Sequence, residues 1–347
     1  MKIIAIGNSP SSGSTLLGDL LDSVPNCLCG PEFHLFSVRS FFSEFALFQD
    51  DSATSSPIAS IYSKRMRLNR DELHAYGLNP KLLSELAKEA DGFPDFCNRF
   101  FLRYAALRGK EPRFCFEKTP QNVQCALPFL DAFPDSFFVH VVRNPLYVAR
   151  SLSKRDLFTP YLARATWLVD VAAAYAARNH PRFLTIRYED LVDNPSATVN
   201  ALLRKLGHEE ADDLDVEELY ANNQYRRFFS HRIASWGSPV VGKVRNGNSG
   251  EISDEVARGI TWSLNSRINP AYAKLFDLPE ITFVEAASHF GYLDSLEAWQ
   301  NGALPDSDGA QLRLTERWLT DVAKGGAGPF DRDAYLRPVL SEPAKKS

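Results

Sequence analysis

The residues best suited to chemistry lie near the start of the chain, in a loop rich in glycine and serine. Asn8–Thr15 follows a short apolar run and precedes leucines that recur at helical spacing. Successive backbone N–H groups in such a turn, leading into a helix N-terminus, form a concavity for an anion. Gly13 allows the backbone to approach closely, and Ser12, Ser14 and Thr15 add hydroxyl donors. The alternative is an ordinary turn in which Ser14 caps the helix.

This loop differs from the phosphate loop of nucleoside triphosphatases. That motif is G-x-x-x-x-G-K-[ST], whereas here one residue too many separates Gly7 from Gly13, and Ser14 follows in place of Lys. Without the Lys, the main contact to the β- and γ-phosphates is missing. The sequence therefore favours phosphate binding but not γ-phosphoryl transfer.

Alternating strands and helices must position this loop. Strands are predicted at Ile3–Ile6, Arg113–Phe116, Phe137–Val142 and Phe183–Ile186. Helices are predicted at Gln121–Ala132, Leu146–Lys154, Tyr161–Asn179 and Ser196–Leu206. The alternation predicts an α/β fold with a parallel sheet flanked by helices. Polar residues follow each strand, at the edge where open sheets of this class bind ligands.

Two stretches lie outside this alternation. Phe33–Glu111 is aromatic and mainly helical, and we expect an insertion that covers the carboxyl ends of the strands. Its phenylalanines have the spacing typical of core residues. The chain after residue 281 is helical in character but has no motif, and 341–347 is predicted to be a frayed tail. These features predict a domain over 1–280 and a helical extension over 281–347 packed on it.

Two motifs resemble those of sulfotransferases that use 3′-phosphoadenosine 5′-phosphosulfate (PAPS). Pro10–Leu16 resembles their 5′-phosphosulfate loop, and Val142–Leu152 resembles their 3′-phosphate motif. The resemblance implies a P-loop-type fold in which Arg143 and Ser151 contact the 3′-phosphate. A strand-end guanidinium suits a bidentate contact, and a helical hydroxyl two turns on can face the same point. The loop residues expected to bind the nucleotide are Ser11, Ser12, Gly13, Ser14 and Thr15.

Two later segments extend the resemblance. Arg187–Leu191 is similar to the family's strand-end YEDL segment, whose Tyr lies near the adenine, so that role falls to Tyr188. Arg245–Gly250 resembles the late loop that closes on the 3′-phosphate. It adds Arg245, Asn246 and Gly247 to the expected nucleotide contacts, with Lys243 as an equally good cation.

The general base distinguishes branches of this family. Small-molecule sulfotransferases of the cytosol have a Lys-Thr-His segment, whereas this chain has Lys118-Thr119-Pro120. The protein-tyrosine and bacterial branches place a Glu in a Cys-Gly-x-Glu segment, which Cys29-Gly30-Pro31-Glu32 resembles. Glu32 is therefore the expected base, with His34 as its competitor and a surface or helix-capping carboxylate as the alternative for Glu32.

One position departs from the family. Ser11 stands where most members have Lys or Arg, a cation that contacts the phosphosulfate. The resemblance points to Lys118, at a strand end, as its replacement. The alternative is that Lys118 only pairs with a neighbouring carboxylate such as Glu117.

Composition restricts the other function classes. A net charge of −4 and a pI of about 6.0 are less basic than a nucleic-acid coat or an anionic-membrane binder requires. Five cysteines at spacings unlike a zinc site predict reduced thiols and a cytoplasmic protein. We find no secretory signal, no apolar run long enough to span a membrane, and no metal-ligand cluster.

The resemblance implies in-line transfer of a sulfuryl group from PAPS, without a metal, and release of adenosine 3′,5′-bisphosphate. The acceptor is expected to be a hydroxyl or amine of a small molecule or glycan. Two other classes stay open. One is a small-molecule or nucleoside kinase, which the missing loop Lys disfavours. The other is a catalytically weak nucleotide-binding relative, which Ser11 suggests.

Overall fold

Parallel strands form one sheet at the centre of the protein. The computed structural model describes residues 1–49, 58, 70–154, 160–208, 214–223, 243–261, 273 and 277–297. Within these residues, five strands pair in the order β2-β3-β1-β4-β5. The strands are β1 (Lys2–Asn8), β2 (Cys27–Cys29), β3 (Phe114–Lys118), β4 (Phe138–Val142) and β5 (Phe183–Arg187). The predicted α/β fold is confirmed, and four of these strands match the predicted ones to within two residues at each end.

The short strand β2 was not predicted. Three buried residues, Cys27–Cys29, pair with Phe114–Phe116 at the edge of the sheet. A run this short has no measurable periodicity, and the neighbouring Pro25 and Gly30 indicate a connection instead.

Both faces of the sheet are covered, which explains the uninterrupted apolar sequence of its central strand. Ile4 and Ile6 face one core, together with leucines of the first helix. Ile3 and Ala5 face a second, more aromatic core. The helices on the first face are α1 (Ser14–Ser23), α11 (Pro195–Lys205) and α12 (Val216–Ala221).

The segment between β2 and β3 contributes the aromatic side of the second core. Its helices are α2 (Ser40–Glu44), α3 (Ala46–Gln49), α4 (Arg70–Ala75), α5 (Pro80–Lys88) and α6 (Phe93–Arg108). The phenylalanines expected in the core lie there, five of them buried and Phe42 partly buried. From the sequence, Arg65, Arg67 and Arg70 would suit an anionic glycan, with a solvated charged face as the alternative. Arg65 and Arg67 lie outside the described residues, and Arg70 begins α4.

The remaining helices follow β3, β4 and β5. They are α7 (Ala126–Ala132), α8 (Pro145–Leu152), α9 (Pro160–Ala177), α10 (Tyr188–Asp193), α13 (Asp254–Thr261), α14 (Phe283–His289) and α15 (Leu293–Glu297). The helix predicted from Gln121 begins as a tighter 3₁₀ turn, Pro120–Cys125. The predicted tail and most of the predicted extension lie outside the described residues.

A buried ion pair fixes the insertion to α1. Arg108 Nη2 lies 3.0 Å from Asp22 Oδ2, and both side chains are almost fully buried. Asp22 Oδ1 also accepts a hydrogen bond from the backbone N–H of Cys29 at 3.0 Å. Since Cys29 ends β2, this carboxylate sets the position from which the segment of Glu32 departs.

The cysteines and the described helices have two further properties. All five cysteines are buried and none forms a disulfide bond, and burial raises the pKa of the Cys27 thiol to about 12, so it is a poor nucleophile. None of the described helices is both long and apolar enough to cross a membrane.

Candidate functional site

The loop at the end of β1 presents an uncapped helix N-terminus. The N–H of Ser12 donates to Ser9 O at 3.2 Å, which closes the turn. Ser11 and Gly13 both have positive φ values, 70° and 98°. Gly13, and not Ser14, is the N-cap of α1, and it provides no side-chain hydrogen bond. The first-turn amides of α1 therefore have no side-chain cap, which suits an anion.

Gly13 is the point where the loop meets the end of β5. A Cβ atom built on Gly13 would lie 2.3 Å from Tyr188 Cδ2, so only glycine allows the ring to lie on the loop. The left-handed backbone at Gly13 requires glycine for a second reason, since other residues adopt it at a cost. Tyr188 begins α10 and is buried.

Arg143, directly after β4, is held against the same loop. Its Nη1 donates to Ser11 O at 2.8 Å, and its Nε donates to Asn248 Oδ1 at 2.9 Å. The guanidinium lies 4.2 Å from the centre of the Tyr188 ring, a cation–π contact. Burial lowers the pKa of Arg143, while Tyr188 and Glu189 act to raise it.

The segment 243–250 closes over this arginine. The Gly247 N–H donates to Tyr188 Oη at 2.8 Å, and Tyr188 Oη donates to Arg245 O at 3.3 Å. A Cβ at Gly247 would lie 2.8 Å from Arg143 Nη2, so glycine permits the close approach. Arg245 and Gly247 are exposed. Asn246 and Lys243 are exposed too. Within the described residues, Lys243 forms no hydrogen bond with Arg143 or Tyr188.

Helix α8 adds a cation that sequence reasoning missed. Arg150 packs beneath Gly250, where a Cβ would overlap its guanidinium. Its Nη1 is buried, and the described part of the chain offers this atom no hydrogen-bond partner. Arg150 also acts to lower the pKa of Arg143, which places the two guanidinium groups near each other. Ser151, the predicted contact, follows it and is half-buried.

On the other side of the loop, Lys118 lies between Thr15 and Glu32. Its Nζ donates to Glu32 Oε1 at 2.9 Å and to Thr15 Oγ1 at 3.3 Å. The Lys118 side chain is 1% exposed and that of Glu32 is 25% exposed, so the carboxylate is the more accessible end of the pair. Lys118 pairs with Glu32 rather than with Glu117, because neighbouring residues of a strand point to opposite faces.

Glu117, which sequence reasoning treated only as an ion-pair partner, anchors the turn that follows Glu32. Its Oε1 accepts from the N–H groups of Phe33 and His34 at 3.1 and 3.2 Å, and from Thr119 Oγ1 at 2.6 Å. Burial raises its pKa, and these hydrogen bonds act to lower it. The His34 ring lies 3.4 Å from Ser37 Oγ. Nothing in the local sequence distinguishes Glu117, because the Phe33 and His34 amides that it binds are distant in the chain.

The sheet places these groups in order along one edge. Glu32 follows β2, Lys118 ends β3, the loop follows β1, Arg143 follows β4 and Tyr188 follows β5. A groove of about 480 Å³ lies at the opposite edge and contacts none of these groups. Its lining includes Lys2, which begins β1, and Arg113, which precedes β3. Among the described residues, no group of three or more His, Cys, Asp or Glu side chains is placed to hold a metal.

Comparison with known proteins identifies the family. The sulfotransferase family model matches residues 4–213. Protein-tyrosine sulfotransferase 2 of Gallus gallus is 24% identical over 234 residues, 63% of this chain and 55% of that protein, so the chain spans about half of its length.

Two solved sulfotransferase domains are also similar. The domain from the curacin biosynthetic pathway aligns over 84% of this chain and 98% of its own, with a TM-score of 0.48 and 17% identity. The domain from the Synechococcus PCC 7002 olefin synthase aligns over 92% and 93%, with a TM-score of 0.45 and 19% identity. Family membership rests on the match over 4–213, which includes the loop, Lys118, Arg143 and Tyr188 and more than half of the chain: the protein belongs to the sulfotransferase family.

Proposed function

We propose that this protein transfers a sulfuryl group from PAPS to a hydroxyl or amine of a small-molecule or glycan acceptor, with Glu32 as general base. The observation that supports this best is the position of Lys118. Its ammonium contacts both the anion-binding loop, at Thr15, and the carboxylate of Glu32. Transfer of an anionic group to a nucleophile needs a cation and a base side by side.

The other half of the site fits the nucleotide. Ser12 Oγ and Arg150 Nη1 are buried polar atoms without a partner among the described residues, as expected where a ligand supplies the missing acceptor. In the proposed complex, Arg143 and Ser151 hold the 3′-phosphate and Arg150 adds charge. Tyr188 lies by the adenine. The exposed residues Lys243, Arg245, Asn246 and Gly247 complete the contacts from the late loop.

The chemistry divides between two residues. When bound, the nucleotide supplies the activated sulfuryl group. Glu32 accepts the proton of the acceptor as its oxygen or nitrogen bonds to sulfur. Lys118 and the loop amides stabilise the negative charge on the phosphate as its bond to sulfur breaks. Lys118 thereby provides the charge that Ser11 lacks. We favour Glu32 over His34, because the His34 ring lies against Ser37 and Lys118 contacts Glu32.

The variant Glu32→Gln tests the assignment of Glu32 as general base. The amide cannot accept the proton, so we expect turnover to fall by about 10²- to 10⁴-fold. Binding of adenosine 3′,5′-bisphosphate is expected to change little. Calorimetry measures the binding, and transfer from labelled PAPS to a panel of alcohols, phenols, amines and glycans measures turnover.

Two matched variants complete the experiment. Glu218→Gln, at an exposed position on α12, is the control and should keep full turnover. Full turnover in Glu32→Gln together with its loss in His34→Gln would move the base to His34. Protection of the wild-type protein against thermal unfolding by ATP–Mg²⁺ but not by the bisphosphate would favour a kinase instead.

A further inference from the structure

Residues 277–297 are the last described stretch of the chain, called the C-terminal segment below. One buried tyrosine connects this segment to the 3′-phosphate side of the proposed site. Tyr292 lies between α14 and α15 and is 2% exposed. Its hydroxyl donates to Glu189 Oε2 at 2.7 Å. Val142 O is a more distant acceptor, at 3.4 Å. Burial and the Glu189 carboxylate raise the pKa of Tyr292, so the hydroxyl keeps its proton.

Glu189 connects three parts of the chain. While Oε2 binds Tyr292, Oε1 accepts from the N–H of Asn144, after β4, at 3.2 Å. Oε1 also accepts from Asn248 Nδ2, in the late loop, at 2.9 Å. The carboxylate therefore fixes the end of β4 and the late loop relative to the C-terminal segment.

The orientation of one amide follows from this carboxylate. An ionised carboxylate only accepts hydrogen bonds, so Asn248 must direct its Nδ2 to Glu189 and its Oδ1 elsewhere. Oδ1 accepts from Arg143 Nε at 2.9 Å. A flipped amide would direct its NH₂ group at the guanidinium and lose that bond. Tyr292 thus fixes the orientation of the Arg143 side chain through Glu189 and Asn248.

The same segment also holds the start of helix α8. Asn144 Nδ2 donates to Ser295 Oγ at 2.9 Å, and Asn144 Oδ1 accepts from the Leu146 N–H at 3.0 Å, which caps the helix. Helix α8 bears Arg150 and Ser151. The segment therefore contacts the neighbours of Arg143 on two sides.

We propose that Tyr292, acting through Glu189 and Asn248, is a positioning residue for recognition of the nucleotide 3′-phosphate by Arg143. This inference rests on the proposed function. It assigns a role in nucleotide selection to a segment that lies beyond residues 4–213, where the family model ends.

The test compares two nucleotides that differ only in the 3′-phosphate. Calorimetry gives the dissociation constants of adenosine 3′,5′-bisphosphate and adenosine 5′-phosphate for each variant. Tyr292→Phe keeps the ring, on which Arg187 lies at 4.8 Å, and removes only the hydroxyl. We expect affinity for the bisphosphate to fall about tenfold and affinity for the 5′-phosphate to be unchanged.

Further variants separate positioning from general destabilisation. Tyr175→Phe is the control, because its ring also packs on the C-terminal segment, at His289, and its nucleotide preference should not change. Glu189→Gln should reduce the preference as Tyr292→Phe does. The variant that combines Tyr292→Phe with Glu189→Gln should lose no more of the preference for the bisphosphate than the more affected single variant, since both residues act through the same contacts.

The outcomes distinguish the inference from the function on which it rests. A wild-type protein that binds both nucleotides equally would overturn the proposed function, and this inference with it. A wild-type protein that prefers the bisphosphate, with the preference intact in Tyr292→Phe, would overturn the inference alone. An equal loss of affinity for both nucleotides in Tyr292→Phe would also overturn the inference, since it would show that Tyr292 has a structural role only.

Discussion

Lys118 is the residue on which the catalytic half of the proposed site depends. A lysine that is 1% exposed needs compensation for its lost hydration, and Glu32 and Thr15 provide it. The pair is asymmetric, because Glu32 remains accessible while the ammonium is buried beneath it. That asymmetry suits an acceptor that approaches the carboxylate from solvent while the cation faces the anion-binding loop.

Lys118→Met is expected to separate binding from chemistry. Methionine fills a similar volume without charge, so the leaving phosphate loses a stabilising contact that matters most as its charge develops. We expect kcat to fall by about 10²- to 10³-fold, as for loss of one oxyanion donor, with a smaller effect on bisphosphate affinity. Single-turnover transfer and calorimetry measure the two effects. Lys154→Met, at an exposed position after α8, is the control. A loss confined to affinity would assign Lys118 to binding alone.

The loop after β1 and the first turn of α1 are the elements proposed to bind the anion. Their geometry depends on two positive φ values, at Ser11 and Gly13. It also depends on the Tyr188 ring, which lies on Gly13 and beneath the guanidinium of Arg143. A change at Gly13 therefore affects the groups that follow three strands, namely the loop after β1, Arg143 after β4 and Tyr188 after β5.

Gly13→Ala is expected to impair both stability and nucleotide binding. The left-handed backbone costs a non-glycine residue about 1–2 kcal/mol, and the new methyl group would displace Tyr188. Gly207→Ala is a matched control, because Gly207 has a φ of 91° with no atom within 4 Å of an added Cβ. Urea unfolding should show a loss of stability in both variants, whereas calorimetry should show a loss of bisphosphate binding only in Gly13→Ala. Retained binding in Gly13→Ala would mean that the Tyr188 contact is dispensable.

At the scale of the whole molecule, buried or half-buried ionisable groups join parts that are distant in sequence. Asp22 binds the insertion through Arg108, and Glu117 binds the turn after Glu32. Glu189 binds the C-terminal segment. Asp170, on α9, is the fourth such group and accepts a hydrogen bond from Gln124 at 2.9 Å. Burial raises the pKa of Asp170 to about 8.

Asp170→Asn is expected to stabilise the protein more at high pH than at low pH. The ordinary pKa of an aspartate carboxyl is about 4. Between about pH 4 and pH 8, Asp170 is therefore ionised in the unfolded chain but keeps its proton in the folded wild type. Wild type therefore loses stability as the pH rises through this window, by up to roughly 1.4 kcal/mol per pH unit. Asparagine keeps the Gln124 hydrogen bond and does not titrate.

Urea unfolding of both proteins across this window measures the effect. The difference in free energy of unfolding between Asp170→Asn and wild type should grow with pH and level off near pH 8. Asp193→Asn, at an exposed position, is the control and should give a difference that hardly changes. A constant difference for Asp170→Asn would show that its carboxyl is ionised in the folded protein.

Motif residues near strand ends could be predicted because each motif is local. The loop, Arg143 and Tyr188 each follow an apolar run that identifies its strand, and parallel strands bring their carboxyl ends to one edge. Arg150, Glu117 and Tyr292 could not be found in this way. Arg150 differs from a surface cation only through Gly250, which lies 100 positions away in sequence.

The sequence by itself determined the α/β alternation, the position of the loop between β1 and α1, and the family resemblance, because hydrophobic period and motif spacing are local properties. Only the tertiary structure decided that Lys118 pairs with Glu32, that Glu117 holds the turn that follows Glu32, and that Tyr292 reaches Arg143 through Glu189 and Asn248. These contacts join residues far apart in the chain, and burial decides their partners, since each buried charge or amide must find one.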